Sequence, residues 1–167
     1  MAPITPEWEE RAERLWQRFD EFDQQAFVAA VDELAAELPA GSATAAFERA
    51  GARDSTGRTA EAIPLYRVAL ATGTDAAALD PSRRRQATIQ LASSLRALGQ
   101  AEESVELLAA ESRRPSDELD DAVAGFLALA LADAGREREA VAVALTALSG
   151  HLTRYRRSLT AYAAELA

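Results

Sequence analysis

Three glycines set the frame of this chain. Gly57, Gly99 and Gly135 each end a helical run, and five residues after each comes a small residue, Ala62, Ser104 or Ala140. A β-branched residue follows in every copy (Ile63, Val105, Val141), and three further on stand Tyr66, Leu108 and Ala144. Seven residues before the glycines lie Ala50, Ala92 and Ala128, and four before them lie Arg53, Leu95 and Leu131. The glycines are spaced by 42 and 36 residues, the excess in the first interval being a long connection, GTDAAALDPSR. A period in the mid-thirties with two helices per unit signals stacked helical hairpins. The glycine turns the chain tightly between paired helices, and the small residue lets the second helix approach the first. One hairpin cannot bury its own apolar face, so several must stack.

Local signals place the helices. Thr5-Pro6-Glu7 reads as a cap, a first-turn proline and an acid near the positive dipole end. Asp23 caps a second helix, with Phe22 and Phe27 spaced as a hydrophobic staple and Phe27, Val31, Leu34 and Leu38 as its stripe; Pro39 and Gly41 stop it. Ser42 opens a third helix, and the fourth runs from Gly57 to about Ala71, with Pro64 inside it. Asp80-Pro81 starts a fifth, reaching Leu98, with Ala87, Leu91, Leu95 and Leu98 as its buried stripe. The sixth spans about Gln100 to Glu111, and a loop follows through Ser116. The seventh spans Asp117 to Ala134, the eighth Arg136 to Ser149 with Gly150 as its stop, and a last one about Thr153 to Leu166.

Composition agrees. The hydrophobic share is 49% but aromatics make up only 6% of the 167 residues. The core is therefore built mainly from Ala, Leu and Val, good helix formers or close packers. There is no Cys and a single His, His151, which removes thiolate chemistry, disulfides and His-pair metal motifs. All 18 basic residues are Arg, a bias that points to a GC-rich genome. Net charge is −9, of which residues 1–38 carry −7. Such a chain repels nucleic acid and anionic lipid, so neither is an expected partner. The longest apolar run, Ala122 to Ala132, has eleven residues, short of the roughly 20 a membrane span needs. With no basic-then-apolar leader pattern, the expected setting is soluble and cytoplasmic.

The paired positions Leu91-Ala92-x2-Leu95 with Ser104-x3-Leu108, Leu127-Ala128-x2-Leu131 with Ala140-x3-Ala144, and Ala62-x3-Tyr66 followed by Ala69 resemble the tetratricopeptide repeat. The stretches ARDSTGRTAEAIPLYRVAL, QLASSLRALGQAEESVELL and FLALALADAGREREA are similar to its bacterial group-5 subfamily, most clearly over residues 42–149. The first copy departs from the pattern: Arg53 holds the aromatic slot and Phe47 sits one residue from the Trp slot. The resemblance implies an all-α fold, a right-handed superhelical solenoid of antiparallel hairpins with about nine helices. Residues 1–167 then form one domain: a degenerate hairpin at 1–41, repeats at 42–72, 80–112 and 116–149, and a capping helix at 151–167. It implies binding of a peptide or partner protein on the concave face and no enzyme activity. The best-known variant grips a C-terminal carboxylate with Lys and Asn; this chain has neither residue, so that clamp does not carry over.

The first helix of each hairpin lines the concave face in such solenoids. Gln86, Ile89, Ser93 and Arg96 of the fifth helix, with Asp54 and Asp133, form the candidate groove. Arg96 either donates a bidentate pair to a partner carboxylate or pairs internally with Asp54 or Asp133. Asp54 and Ser55 either offer a polar groove site or satisfy groups of the adjacent turn. The seventh helix is apolar nearly all round, which implies burial on several sides. Phe126 and Leu129 there are a candidate homodimer seam, the alternative to a foreign partner. Arg83-Arg84-Arg85 and Arg154-Tyr155-Arg156-Arg157 read as solvated helix starts with internal ion pairs. No catalytic, cofactor-binding or metal-binding residues are assigned, and no cofactor is expected.

Overall fold

The computed structural model describes residues 4–71, 78–115 and 117–167. Residues 72–77 of the predicted long connection, and Ser116 in the predicted loop, lie outside them. Among the described residues there are nine α-helices, one short 3-10 turn (Phe19–Glu21) and no strand. The helices are α1 (Pro6–Gln17), α2 (Gln24–Ala36), α3 (Ala43–Ser55), α4 (Thr59–Ala71), α5 (Pro81–Ala97), α6 (Ala101–Glu111), α7 (Asp120–Asp133), α8 (Glu137–His151) and α9 (Arg156–Ala164). Neighbours in sequence pack on one another: α2 on α3, α3 on α4, α6 on α7, α7 on α8 and α8 on α9. This is the consecutive packing of a repeat array.

The starts follow from side-chain caps. Thr5 accepts from the Trp8 amide at 3.3 Å, Asp23 from Ala26 at 2.8 Å, Ser42 from Ala45 at 3.2 Å and Asp80 from Arg83 at 2.9 Å. Each such cap contributes about 1 kcal/mol by satisfying an otherwise orphaned amide.

The three register glycines end their helices in the same way. Gly57, Gly99 and Gly135 have φ of 76°, 79° and 73°, a left-handed conformation that costs any residue with a Cβ. The amide after each glycine reaches back five residues: Arg58 to the Arg53 carbonyl at 2.8 Å, Gln100 to Leu95 at 2.9 Å, and Arg136 to Leu131 at 2.8 Å. The glycine amides bond to Asp54, Arg96 and Ala132. This pair of bonds is a Schellman turn, and the positions four residues before the glycines are its acceptors.

The chain divides into two compact units, Met1–Ala87 and Thr88–Ala167, with the boundary inside α5. In the first unit, Phe27 is fully buried with Val28, Val31 and Ala52. Three rings surround it: Phe19 at 4.7 Å, Trp16 at 5.0 Å and Phe22 at 5.9 Å between centroids. The Phe22–Phe27 contact is the predicted staple. Ala62 and Tyr66 of α4 are buried completely, with Tyr66 beside Phe47 of α3. In the second unit, Ile89 and Ala92 of α5 share a core with Val105 and Leu108 of α6 and Val123, Leu127 and Leu131 of α7. Ala163 of α9 is buried as well.

Four expectations are corrected. Gly150 does not stop α8, which continues to His151; the chain leaves the helix at Leu152, whose backbone is extended. The last helix starts at Arg156 rather than Thr153, behind Tyr155, which takes φ of 64°. Leu98 does not belong to the buried stripe: it is the last residue before the Gly99 turn and stays exposed. The seventh helix starts at Asp120 rather than Asp117, whose carboxylate accepts from the Leu119 amide at 2.7 Å in the turn before it. Pro64 lies within α4 and deprives the Ala60 carbonyl of its usual donor. Ala60 and Pro64 are both exposed, so water can meet that carbonyl and the helix continues.

Candidate functional site

Counting back three, six and ten residues from each turn glycine selects one side of the first helix in every copy. In α3 these are Asp54, Gly51 and Phe47; in α5, Arg96, Ser93 and Ile89; in α7, Ala132, Leu129 and Gly125. Each unit treats its positions differently.

In the second unit this side is open on α7. Gly125 and Ala132 are exposed, Leu129 is 49% exposed, and Asp133 one position on is exposed too. Arg96 Nη1 donates to Asp133 Oδ2 at 2.6 Å, tying α5 to α7. Of the two internal acids available to Arg96, the structure selects Asp133. Ser93 is half-buried beside this pair on α5. Ile89 faces inward: it is a member of the core, so it offers no groove surface. Phe126 packs partly against that same core, leaving Leu129 as the open residue of the candidate seam. The all-round apolar α7 is therefore covered on its core sides and bare along one stripe.

In the first unit Gln86 is taken up within its own helix, its amide donating to Ser82 at 3.3 Å. Of the α3 positions, Gly51 is covered by α1. Trp16 lies against Gly51: a Cβ there would stand 3.2 and 3.3 Å from two atoms of the indole ring. The Trp16 indole N–H donates to Glu48 Oε2 at 2.7 Å. Glu48 is buried, and burial raises its carboxyl above the usual range, partly offset by the indole hydrogen bond and the charge of Arg83. Arg83 pairs in turn with Glu9 of α1 and with Asp80, so the first of the basic cluster is an internal ion pair. Asp54 is half-buried, and its carboxylate has no hydrogen bond or ion pair with any described residue. The Tyr66 hydroxyl is buried without a hydrogen-bond partner among the described residues. Burial raises its pKa, and the nearby charges of Asp54 and Glu48 add to the effect.

His151 Nε2 lies 2.9 Å from Asp121 Oδ2 at the surface. Among the described residues no group of three His, Asp or Glu could hold a metal ion, and no helix is long and apolar enough to cross a membrane.

Three equivalent turns in one register are the geometry of a helical-hairpin repeat, and the family model of the group-5 tetratricopeptide repeat matches residues 43–166. The chain belongs to this family. No curated protein and no solved structure matches it. The match begins at α3 and runs through α9, beyond the 42–149 stretch in which the sequence resemblance is clearest; α1 and α2 precede it. Tetratricopeptide repeats are in general non-catalytic modules that mediate protein–protein interaction.

The contact that sequence reasoning missed is Trp16 on Gly51 and Glu48. Two signals pointed to it: a glycine inside an otherwise alanine-rich helix, and the single glutamate of α3. Neither names its partner, because the indole comes from 32 residues earlier in the chain.

Proposed function

We propose that the protein is a non-catalytic adaptor or regulator of the bacterial cytoplasm that binds a peptide or partner protein along the first-helix face of its repeats. The observation that carries this reading is the open stripe of α7 in the second unit, beside the Arg96–Asp133 pair. Leu129 supplies an apolar contact there, and Ser93, Arg96 and Asp133 supply polar ones. An apolar residue ringed by charged and polar groups suits a protein surface. A partner carboxylate can compete with Asp133 for the Arg96 fork, which exchanges one ion pair for another with no buried charge left over.

Affinity capture from the source cells tests it, comparing wild type with Arg96→Glu and Leu129→Asp. Leu129→Asp places a charge on an exposed helix surface, where substitutions change stability by only about ±0.5 kcal/mol. Proteins retained by wild type and lost by both variants support the reading; identical retention by all three contradicts it. Self-association is the second reading, favoured by the exposure of Leu129 on a mainly apolar helix. It predicts a dimer in light scattering that Leu129→Asp converts to monomer, and a wild-type protein monomeric at high concentration rules it out.

A further inference from the structure

The second helices of the three repeats, α4, α6 and α8, match position by position when counted from their turn glycines. Six residues on stand Ile63, Val105 and Val141. Ile63 and Val105 are 8% and 5% exposed, whereas Val141 is 46% exposed. Nine residues on, Tyr66 and Leu108 are fully buried and Ala144 is exposed. Seven residues on, the order reverses: Pro64 and Glu106 are exposed and Ala142 is buried. In the second copy the closed face is the one that stacks on the next repeat, since Val105 and Leu108 share a core with Val123 and Leu127 of α7.

The docking of α9 accounts for the reversal. It lies on α8 along the side of Ala142 and Ser149, both buried. Thr160 Oγ1 meets Ser149 Oγ at 3.0 Å, and Arg138 donates to the Glu165 carbonyl at 3.4 Å. α9 therefore sits one position round from the stacking face and leaves that face bare. Val141, Ala144 and Leu148, spaced three and four apart, form one exposed apolar stripe along α8. Capping elements of repeat arrays present a polar outer face; this one is apolar. The stripe ends at a basic corner. Residues 152–158 hold Arg154, Arg156 and Arg157 and no acid. None of the three forms an ion pair with any described residue, so the internal pairing expected of this cluster is absent. Between them Tyr155 is 80% exposed and held at φ of 64°, a conformation that a residue with a Cβ adopts at a cost.

We propose that this face of α8 binds an acidic amphipathic helix of a partner protein, which takes the place of the next helix in the array. Its apolar side covers Val141, Ala144 and Leu148, as α7 packs on Val105 and Leu108. Carboxylates toward one end of it meet Arg154, Arg156 and Arg157, whose guanidinium forks are all donor and have no acidic partner within the chain. Tyr155 offers a ring and a hydroxyl at the rim. Nucleic acid or an anionic membrane could use the arginines but is opposed by the −9 charge of the chain. Two copies meeting through this face would set the same three arginines against each other. The surface lies on α8 and is separate from the α7 stripe beside Leu129, so either can fail alone.

Fluorescence anisotropy with the full-length protein tests it. The probe is a labelled, capped peptide of about 18 residues, long enough to hold a helix alone. It carries leucines along one helical face and glutamates on the other; a second peptide carries lysines in place of the glutamates. Saturable binding of the acidic peptide is expected, weakening with salt and about tenfold or more tighter than that of the lysine peptide. Val141→Asp and Leu148→Asp lie on exposed helix surface and keep the fold. Each should lose about tenfold or more in affinity, because docking then buries an unpaired charge. Arg154→Gln, Arg156→Gln and Arg157→Gln together should remove most of the salt dependence. Val68→Asp, at an exposed apolar position of the first unit, should bind as wild type does. Absence of saturable binding, equal affinity for the two peptides, or wild-type affinity in both α8 variants overturns the proposal. A dimer in light scattering that Val141→Asp abolishes assigns the face to a second copy and overturns it too. So does arginine-dependent retention on phosphatidylserine vesicles without peptide binding, which assigns the corner to lipid. Leu129-dependent capture of a partner with no peptide bound at α8 overturns this surface alone and leaves the first-helix reading standing.

Discussion

The first repeat and the two that follow turn the chain identically yet fill their first helix with different chemistry. In α5 and α7 the residues eight and four before the glycine are Leu91 and Leu95, then Leu127 and Leu131, and all four are buried. In α3 the same positions hold Arg49 and Arg53. Arg53 makes a bidentate pair with Asp32 of α2, at 3.0 and 2.9 Å, and Arg49 lies 3.6 Å from the same carboxylate. The turn depends on backbone conformation and is indifferent to this exchange. The stripe depends on what its neighbours within the unit offer: a shared apolar core with α6 residues for Leu127 and Leu131 of α7, and Asp32 of α2 for Arg49 and Arg53. Repeat identity therefore resides in the turn and the small close-contact residue, while the stripe adapts to its neighbour.

The largest expected effect separates these two stripes. Leu95→Ala empties a fully buried site and should cost about 2–5 kcal/mol in denaturant unfolding. Arg53→Ala should cost less, about 1–2 kcal/mol, because Asp32 remains 37% exposed and can rehydrate. Equal costs would break the contrast. Next come the turns: Gly57→Ala, Gly99→Ala and Gly135→Ala should each cost about 1 kcal/mol, and to the same degree, since each Cβ meets open space and only φ resists it. A copy that tolerates alanine at no cost would show that its turn differs in solution.

The smallest effect is a pH dependence that belongs to the first unit. The ordinary glutamate value is 4.5, and burial raises Glu48 above it in the folded protein. Between the two values the folded state holds a proton that the unfolded state releases, so stability from this group falls as pH rises through that window. Glu48→Gln keeps an acceptor for Trp16 and cannot ionise. Its stability relative to wild type should rise from below pH 4.5 toward neutrality. Arginine partners hold the exposed Glu37, Glu61 and Glu139 low. They act in the opposite direction, but they are common to both proteins and cancel in the difference. A pH-independent difference would show that Glu48 is better solvated than its burial implies.

Much of the fold was legible in the sequence because its determinants are local. The caps at Thr5, Asp23, Ser42 and Asp80, the staple at Phe22 and Phe27, and the glycine register are each decided within a few residues. The exceptions are also local in cause: Gly150 adopts no left-handed conformation, and Tyr155 adopts one despite its bulk. The site was only partly legible. Arg96 and Asp133 were named together as an alternative, and the structure joins them. Ile89 was assigned to the groove because helical spacing alone does not say how far the neighbouring helix reaches over a face. Trp16 over Gly51 depends on the docking of α1, which no spacing within α3 reveals.

The central claim is that Trp16 of α1 covers Gly51 on the first-helix face of the first unit, while Leu129, its counterpart in the second, is open for a partner. The chain has no cysteine, so a single thiol introduced by Leu129→Cys reports on that face alone, with Val68→Cys, also at an exposed position, as reference. The account predicts that both thiols label at similar rates in the free protein at every concentration, and that the captured partner slows labelling at 129 while leaving 68 unchanged. Slow labelling at 129 in the protein alone, or no protection there when the partner is bound, would contradict it.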